Sequence, residues 1–304
     1  WVGKMLEASG EVVYVNEPLN PQHPPGLSPG VLDAEVTHRY QYICAENERP
    51  WLPAFRDTLR LRYRPLAELH RNRGLYDLAR MAKYSRSFTV GRLRGRRAML
   101  DDPWALVSVP WLVERMGCEA VVLVRRPAAV AGSWRKLGWQ VRFDDLLDQP
   151  LLVRDVLGRY AGELRALRES PDWIARIALL WNAMYDHVAG LPDRLPAVSI
   201  VRYEDLAADP VTGFRELYAR LGLTWTGRVE AHVVTTTTAA DSARVFGWNW
   251  RGGLSRTGYR PMDSRQSLTS YRQLLSPDEV SRIEDVTAEV AQRFYGSDPP
   301  AVPV

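Results

Sequence analysis

The sequence predicts an α/β fold in which a central parallel sheet is flanked by helices. Four short runs rich in valine and other apolar residues have the length of strands, and amphipathic segments lie between them. Strands that alternate with helices along a chain usually form a parallel sheet. The 304 residues, 46% hydrophobic and 25% charged, provide a substantial core and exclude collagen, coiled coils and wholesale disorder.

The first third of the chain combines apolar residues at helical spacing with two short strand-like runs. A segment rich in proline and glycine predicts an ordered loop. The elements predicted here are, in order, a helix over 2–8, a strand over 12–15, a loop over 16–29, a helical stretch over about 38–83 and a strand over 97–100.

The rest of the chain alternates helices with two continuous apolar runs, 120–124 and 197–201, which are typical of central parallel strands. Pro127 stands at the favoured first position of a helix. A Ser-Pro-Asp-Glu capping box begins the last helix, 276–294. The other helices are predicted over 104–116, with a glycine at the end, and over 151–167, 173–191 and 213–221.

Several classes of protein and site are not expected. No apolar run approaches the roughly 18 residues that cross a bilayer. Two cysteines, Cys44 and Cys118, are too few for a disulfide framework, and no His, Cys or carboxylate cluster has metal-ligand spacing. A reducing, cytoplasmic setting without a metal cofactor is therefore expected.

Arg125 and Arg126 stand between the predicted strand 120–124 and the helix that Pro127 begins. Ligands of parallel sheets bind at the carboxyl ends of strands, and a helix N-terminus offers free N–H groups to an anion. Ser133 lies almost two turns further, so its hydroxyl could reach the same anion. The alternative is a strand-to-helix corner with solvated arginines.

Arg125, Pro127 and Ser133 have the spacing of a 3′-phosphate motif, so the chain resembles the sulfotransferases. That family transfers a sulfuryl group from 3′-phosphoadenosine 5′-phosphosulfate (PAPS) and releases 3′-phosphoadenosine 5′-phosphate (PAP). Further segments resemble the family in the expected order. They are Tyr203 in a Tyr-Glu-Asp segment that approaches the adenine, the loop Arg251-Gly252-Gly253 that closes over the 3′-phosphate, and residues 268–283 of the C-terminal segment.

The resemblance implies a three-layer P-loop-like fold with a helical, acceptor-side insert at about 38–97. A single domain is expected over 1–296, followed by a tail at 297–304. Residues 1–6 resemble the helix that follows the family's first strand and phosphate loop. That strand and loop, which would cradle the 5′-phosphosulfate with backbone N–H groups, are expected before Trp1.

Glu17 follows the first predicted strand, and the resemblance implies that it is the catalytic base. Sulfuryl transfer needs a group that accepts the proton of the attacking hydroxyl, and a carboxylate suits that task. The alternative is a glutamate that caps the loop. His23 and His38 are rival bases.

Asp101 and Asp102 follow the predicted strand 97–100 and precede Pro103. Bacterial sulfotransferases tend to have Lys-Asp-Pro here, so Asp101 departs from the family pattern. The resemblance implies that Asp102 orients the acceptor or the base. The alternative is a helix cap for the residues that follow.

The predicted insert is strongly basic, since residues 56–97 contain 13 Arg or Lys and three acids in a chain of formal net charge +4. Three hypotheses are open for it: a lid over an anionic or amphiphilic acceptor, contact with an acidic membrane surface, and a solvated arginine-rich face. Nucleic-acid binding is not expected, because no motif that reads DNA or RNA accompanies the charge.

Together the motifs predict a bacterial-type sulfotransferase that uses PAPS to modify a hydroxyl of a glycan, a glycolipid or a natural product. Two alternatives are open. One is another P-loop transferase such as a small-molecule kinase, which would need a magnesium-binding acid and a Lys-Ser/Thr loop. The other is a non-catalytic relative that binds a glycan or a partner, which Asp101 favours.

Overall fold

The computed structural model describes residues 1–21, 34–66, 69, 74–238 and 261–296. Its strands are β1 (Val12–Asn16), β2 (Arg97–Asp101), β3 (Ala120–Val124) and β4 (Val198–Arg202). The α-helices described over their full length are α1 (Val2–Glu7), α2 (Trp51–Leu59), α3 (Leu75–Leu93), α4 (Val109–Met116), α5 (Pro127–Leu137), α6 (Asp144–Leu147), α7 (Pro150–Leu152), α8 (Ala161–Ala166), α9 (Trp173–Ala189), α10 (Leu191–Arg194), α11 (Tyr203–Ala208), α12 (Pro210–Arg220), α13 (Gly227–Thr237) and α14 (Pro277–Tyr295).

The four predicted strands are confirmed, with ends that differ by at most one residue. They form two parallel pairs within the described residues, β1 with β2 and β3 with β4. Val12 lies opposite Arg97 in the first pair, and Ala120 lies opposite Val198 in the second. The chain is therefore an α/β protein with parallel strands, and helices make up most of its described residues.

The chain divides into two compact units. Unit 1 comprises residues 1–118 and 209–263 and contains β1 and β2, whereas unit 2 comprises residues 119–208 and 264–304 and contains β3 and β4. The single domain expected over 1–296 stays a prediction.

The core of unit 1 forms where α3 packs against β1. Val13 and Val15 of β1 contact Phe88 of α3 and Leu61 in one buried apolar cluster. Gly91 permits this close approach, because a Cβ at that position would collide with the Val13 side chain. The packing places the basic insert directly against the strand that precedes Glu17.

The helix predicted over 38–83 is wrong as a continuous element. Residues 41–44 have no regular structure, α2 begins only at Trp51, and residues 62–64 are again irregular. Pro50 stands at the N-cap of α2, and Leu61 has a left-handed backbone with φ 51°. Proline is tolerated at the start of a helix but not in its interior, and a residue with a left-handed backbone conformation cannot continue a helix.

The core of unit 2 lies between β3 and two long helices. Val124 packs against Trp181 of α9 and against Val290 and Tyr295 of α14. The capping box predicted for α14 is confirmed, with Ser276 accepting a hydrogen bond from the backbone of Glu279. These contacts hold the carboxyl end of β3, where Arg125 follows.

The helices predicted over 104–116 and 151–167 are both interrupted. Residues 103–108 form a 3₁₀-helix before α4, because Pro110 has no N–H for an α-helical bond to the preceding turn. The helix predicted over 151–167 is broken, since a π-helical turn, Val153–Leu157, follows α7 and irregular turns precede α8. Gly158 at this break has the weak helix propensity that favours an interruption. Gly117 ends α4 with φ 68°, as predicted.

Among the described residues, no helix combines the length and the apolar character that crossing a membrane requires.

Candidate functional site

The first candidate site lies at the carboxyl end of the β3–β4 pair, in unit 2. Val124 and Arg202 are register partners, so the residues that follow them, Arg125 and Tyr203, emerge side by side. The guanidinium carbon of Arg125 lies 4.4 Å from the centre of the Tyr203 ring, which is a cation–π contact. The structure therefore brings together two of the residues that the sequence singled out.

A third residue of this cluster, Ser267, was missed by the sequence analysis. It lies in the 3₁₀-helix Gln266–Leu268, where its hydroxyl is 2.7 Å from the Tyr203 hydroxyl. Its carbonyl accepts a hydrogen bond from Nη2 of Arg125 at 3.2 Å. A signal was present, because Ser264, Ser267 and Ser270 recur every third residue, which is the period of a 3₁₀-helix.

The 3₁₀ segment is anchored beneath the cluster by hydrogen bonds. The buried Ser264 hydroxyl donates to the carbonyl of Ala207 at 2.8 Å, and Nε of Arg265 donates to the carbonyl of Ala208 at 3.1 Å. The Ser267 hydroxyl also donates to the Ser264 carbonyl at 2.5 Å. The segment whose Ser267 hydroxyl contacts Tyr203 is thus held by the end of α11.

The Nε donor of Arg125 is the next feature of this cluster. Its carbonyl accepts from Nε1 of Trp181 at 3.0 Å, which fixes the backbone. Its Nε is buried and has no hydrogen-bond partner among the described residues. Buried polar groups are nearly always paired, so this N–H is a donor that the described residues leave unsatisfied.

Arg126, although adjacent, has a different environment. Its guanidinium carbon lies 4.6 Å from the centre of the Tyr295 ring. Its backbone N–H donates to Oε1 of Glu204 at 2.9 Å, and the Tyr295 hydroxyl donates to Oε2 at 3.0 Å. Burial and the Glu204 charge raise the pKa of Tyr295 above its ordinary value. Glu204 therefore ties the start of α5 to the end of α14.

Ser133 lies half-buried on α5, and no hydrogen bond joins it to Arg125 or Tyr203 within the described part of the chain. The helix begins at Pro127 and has no side-chain cap, so its first N–H groups keep their capacity to bind an anion. Gly132 lets α5 pack closely against Tyr271, because a Cβ at position 132 would lie 2.6 Å from Cβ of Tyr271. Arg251, Gly252 and Gly253 lie outside the described residues.

The second candidate site lies at the carboxyl end of the β1–β2 pair, in unit 1. Asp101, the last residue of β2, accepts a hydrogen bond from the Tyr14 hydroxyl at 2.7 Å. The carboxylate also lies against α1, because a Cβ at Gly3 would collide with it. Lys4 lies 3.6 Å from the centre of the Tyr14 ring and pairs with Glu7 at 2.7 Å. Asp101 is thus half-buried and is held against β1 and α1.

Asp102 joins the two chain segments of this site. Its Oδ1 accepts from the backbone N–H of Trp104 at 3.0 Å, which confirms the helix-cap alternative, and its Oδ2 accepts from Leu19 N–H at 2.6 Å. Burial, with smaller contributions from the charges of Glu17 and Asp101, raises the pKa of this carboxyl to about 7, against the two hydrogen bonds. Asp102 therefore joins the segment after β1 to the segment after β2, and its pKa is raised to about 7.

Glu17 adopts a backbone conformation that few non-glycine residues take, with φ 44°. Its N–H donates to the carbonyl of Asp101 at 2.9 Å, and its Oε2 accepts from Nδ2 of Asn20 at 2.5 Å. Of the rival bases, His38 contacts the Thr37 hydroxyl at 2.8 Å, and His23 lies outside the described residues. The structure thus places Glu17 near Asp102 at the end of β1.

No family model matches this chain. Comparisons with curated proteins and with solved structures find no significant match either.

The two sites offer complementary chemistry. In unit 2, a guanidinium, two hydroxyls and a helix N-terminus suit a phosphorylated ligand. In unit 1, a carboxylate on a strained backbone and a second carboxyl with a raised pKa suit proton transfer. Within the described residues, no group of three or more His, Cys, Asp or Glu could hold a metal ion.

Proposed function

We propose that this protein is a PAPS-dependent sulfotransferase of bacterial type. The environment of Arg125 carries the proposal. Its backbone is anchored by Trp181, and its contact with the Tyr203 ring orients the side chain. Its buried Nε has no partner among the described residues. A planar guanidinium with an available donor is suited to a phosphate oxygen. In the proposal this oxygen belongs to the 3′-phosphate of PAPS.

The other nucleotide contacts follow from the resemblance and from the position of the cluster. Ser133 donates its hydroxyl to the same phosphate, Tyr203 approaches the adenine, and the Arg251-Gly252-Gly253 loop closes over the 3′-phosphate. Ser267 adds a positioning role, because its hydroxyl and carbonyl hold Tyr203 and Arg125 respectively. The charge and the hydroxyls of this cluster support such a nucleotide site.

The proposed reaction is an in-line transfer of the sulfuryl group. The hydroxyl oxygen of a glycan, glycolipid or natural-product acceptor attacks sulfur, the bond from sulfur to the phosphate oxygen breaks, and PAP leaves. Glu17 accepts the hydroxyl proton. Asp102 positions the segment that carries Glu17, since it hydrogen-bonds the backbone of Leu19.

The finer fold is also part of the proposal. Parallel sheets generally bury both faces under helices and have more than two strands. The three-layer P-loop-like fold that the resemblance implies has one central sheet with more strands than either parallel pair of the described residues. We also place the protein in a reducing compartment such as the cytoplasm, because Cys44 and Cys118 are free thiols and burial raises the pKa of Cys118 to about 11.

A second candidate function is a non-catalytic relative that binds the nucleotide or a glycan. Asp101 favours it, because the Tyr14 hydroxyl holds a carboxylate where sulfotransferases tend to have a lysine. Under this alternative PAP binds normally, but no acceptor is sulfated.

Calorimetric titration of the full-length protein with PAP and with ATP tests the proposal. We expect PAP to bind more tightly, and Arg125→Lys to weaken it by about tenfold or more, because a lysine lacks the guanidinium fork. Arg126→Lys is the matched control, since Arg126 stacks on Tyr295 instead. Tighter binding of ATP would favour the kinase alternative, and equal losses in the two variants would remove Arg125 from the site.

A further inference from the structure

One face of α3 carries exposed apolar side chains. Leu75, Leu78, Ala79 and Ala82 are spaced i, i+3, i+4 and i+7, which places them on one side of the helix. Leu75 is 87% and Leu78 41% exposed, and both alanines are exposed. This apolar stripe is not the packing face, because the buried Phe88 belongs to the opposite side that contacts β1.

Exposed large apolar residues are concentrated in the insert. Single exposed leucines are common on protein surfaces, but clusters of them mark interaction sites. Five of the seven large hydrophobic residues that are exposed in the described part of the chain lie between positions 66 and 93. They are Leu66, Leu69, Leu75, Leu78 and Leu93.

Cations accompany the apolar stripe. Lys83 and Arg86 are exposed on α3 just beyond it, and neither has an ion pair among the described residues. Arg92 and Arg94 are exposed near the C-terminus of the helix. Lysine and arginine have long aliphatic stems that can lie along an apolar surface while the charged head reaches outward. The face therefore joins apolar area to positive charge.

We propose that the basic insert binds an anionic lipid surface through this face of α3. The helix has 19 residues, about 28 Å in length, and would lie parallel to the surface. The leucines enter the boundary between headgroups and acyl chains, and Lys83 and Arg86 reach the lipid phosphates. A nucleic acid would use the cations but leave the exposed leucines in water, so the leucines favour lipid. The inference does not depend on sulfuryl transfer.

Co-sedimentation of the full-length protein with lipid vesicles tests the inference. We expect binding to phosphatidylcholine vesicles that contain about 30% phosphatidylglycerol, weak binding to pure phosphatidylcholine, and loss of binding at high salt. Lys83→Gln combined with Arg86→Gln should weaken binding by about 30-fold. Leu75→Gln combined with Leu78→Gln should weaken it by at least about tenfold.

Two pairs of exposed residues elsewhere provide matched controls. Val234→Gln with Val286→Gln removes exposed apolar residues, and Lys136→Gln with Arg228→Gln removes the same charge. Both control pairs should bind vesicles as the wild type does, and all four variants should keep its melting temperature. Vesicle binding that the leucine pair leaves unchanged would overturn the inference, as would binding to duplex DNA that depends on the cations alone.

Discussion

At the residue scale, Arg125 and Arg126 show how different two adjacent residues of one type can be. Arg125 contacts Tyr203 and has a buried donor without a partner among the described residues, whereas Arg126 stacks on Tyr295. Both follow the same strand, so the strand end alone could not tell them apart. Their difference comes from α11, α14 and the 3₁₀ segment, which approach the two side chains from distant parts of the sequence.

Glu17 is the residue on which the proposed chemistry depends. Glu17→Gln should leave PAP affinity unchanged in the full-length protein and lower the rate of sulfuryl transfer by about 10²-fold or more, because the amide cannot accept the proton. The assay measures PAP affinity and transfer in the same preparation. Glu35→Gln, at an exposed position, is the control. Normal turnover in Glu17→Gln would exclude Glu17 as the base.

Asp102 should make the stability of the protein depend on pH. The unfolded carboxyl releases its proton near pH 3.8, whereas the folded one holds it up to about pH 7. Ionisation of Asp102 therefore destabilises the folded state as the pH rises through this window, by at most about 4 kcal/mol. Below pH 3.8 and above pH 7 this contribution no longer changes.

Asp102→Asn tests this dependence, because the amide does not titrate. The variant still caps the 3₁₀-helix through its carbonyl oxygen but loses the bond from Leu19, so its unfolding free energy is lower than that of the wild type at acidic pH. Denaturant titrations at several pH values should show a smaller decline between about pH 4 and 7 than in the wild type. Parallel curves for the two proteins would contradict the raised pKa.

At the scale of elements, α5 and the serine-rich 3₁₀ segment form one assembly around the candidate nucleotide site. Gly132 of α5 lies against Tyr271, which belongs to the 3₁₀-helix Ser270–Gln273, and this helix follows the one that carries Ser267. The close approach of these two elements requires the absence of a side chain at position 132. A change there should therefore affect both stability and the position of Ser267.

Gly132→Ala should lower stability by about 1–3 kcal/mol, because its Cβ would lie 2.6 Å from Cβ and 3.0 Å from Cα of Tyr271. It should also weaken PAP binding, since Ser267 contacts Arg125 and Tyr203. Gly162→Ala in α8 is the matched control, where a Cβ meets nothing within 4 Å. That variant should be slightly more stable, by about 0.5–1 kcal/mol. Thermal melting and calorimetry would refute the prediction if both variants behaved alike.

The sequence predicted elements best where local rules dominate. The four strands, the capping box of α14 and the glycine that ends α4 are all confirmed. The helical stretch over 38–83 is only partly correct: α2 and the first half of α3 lie in it, but the backbone is not helical before Pro50 or at Leu61. Thr235–Thr238, which had no predicted structure, lie at the end of α13, and each hydroxyl donates to the carbonyl four residues earlier.

At the scale of the whole molecule, both units follow one plan. Each contains a parallel pair of strands, and in each the candidate site residues stand at the carboxyl ends. Unit 2 presents a guanidinium and hydroxyls there, and unit 1 presents carboxylates. The net charge of +4 hides the basic insert of unit 1, whose local net charge of +10 is offset by acids elsewhere. The net charge of the whole chain therefore does not reveal that one segment is strongly basic.

The sequence by itself determined the α/β class, the strands, the basic insert and the positions of Arg125, Tyr203, Glu17 and Asp102 at strand ends. These features depend on periodicity and on residues that are neighbours in the chain. Only the tertiary structure decided which arginine contacts Tyr203 and which serine completes the cluster. Ser267 is 64 residues from Tyr203 and 142 from Arg125, and no local rule of periodicity or capping specifies contacts at such separations.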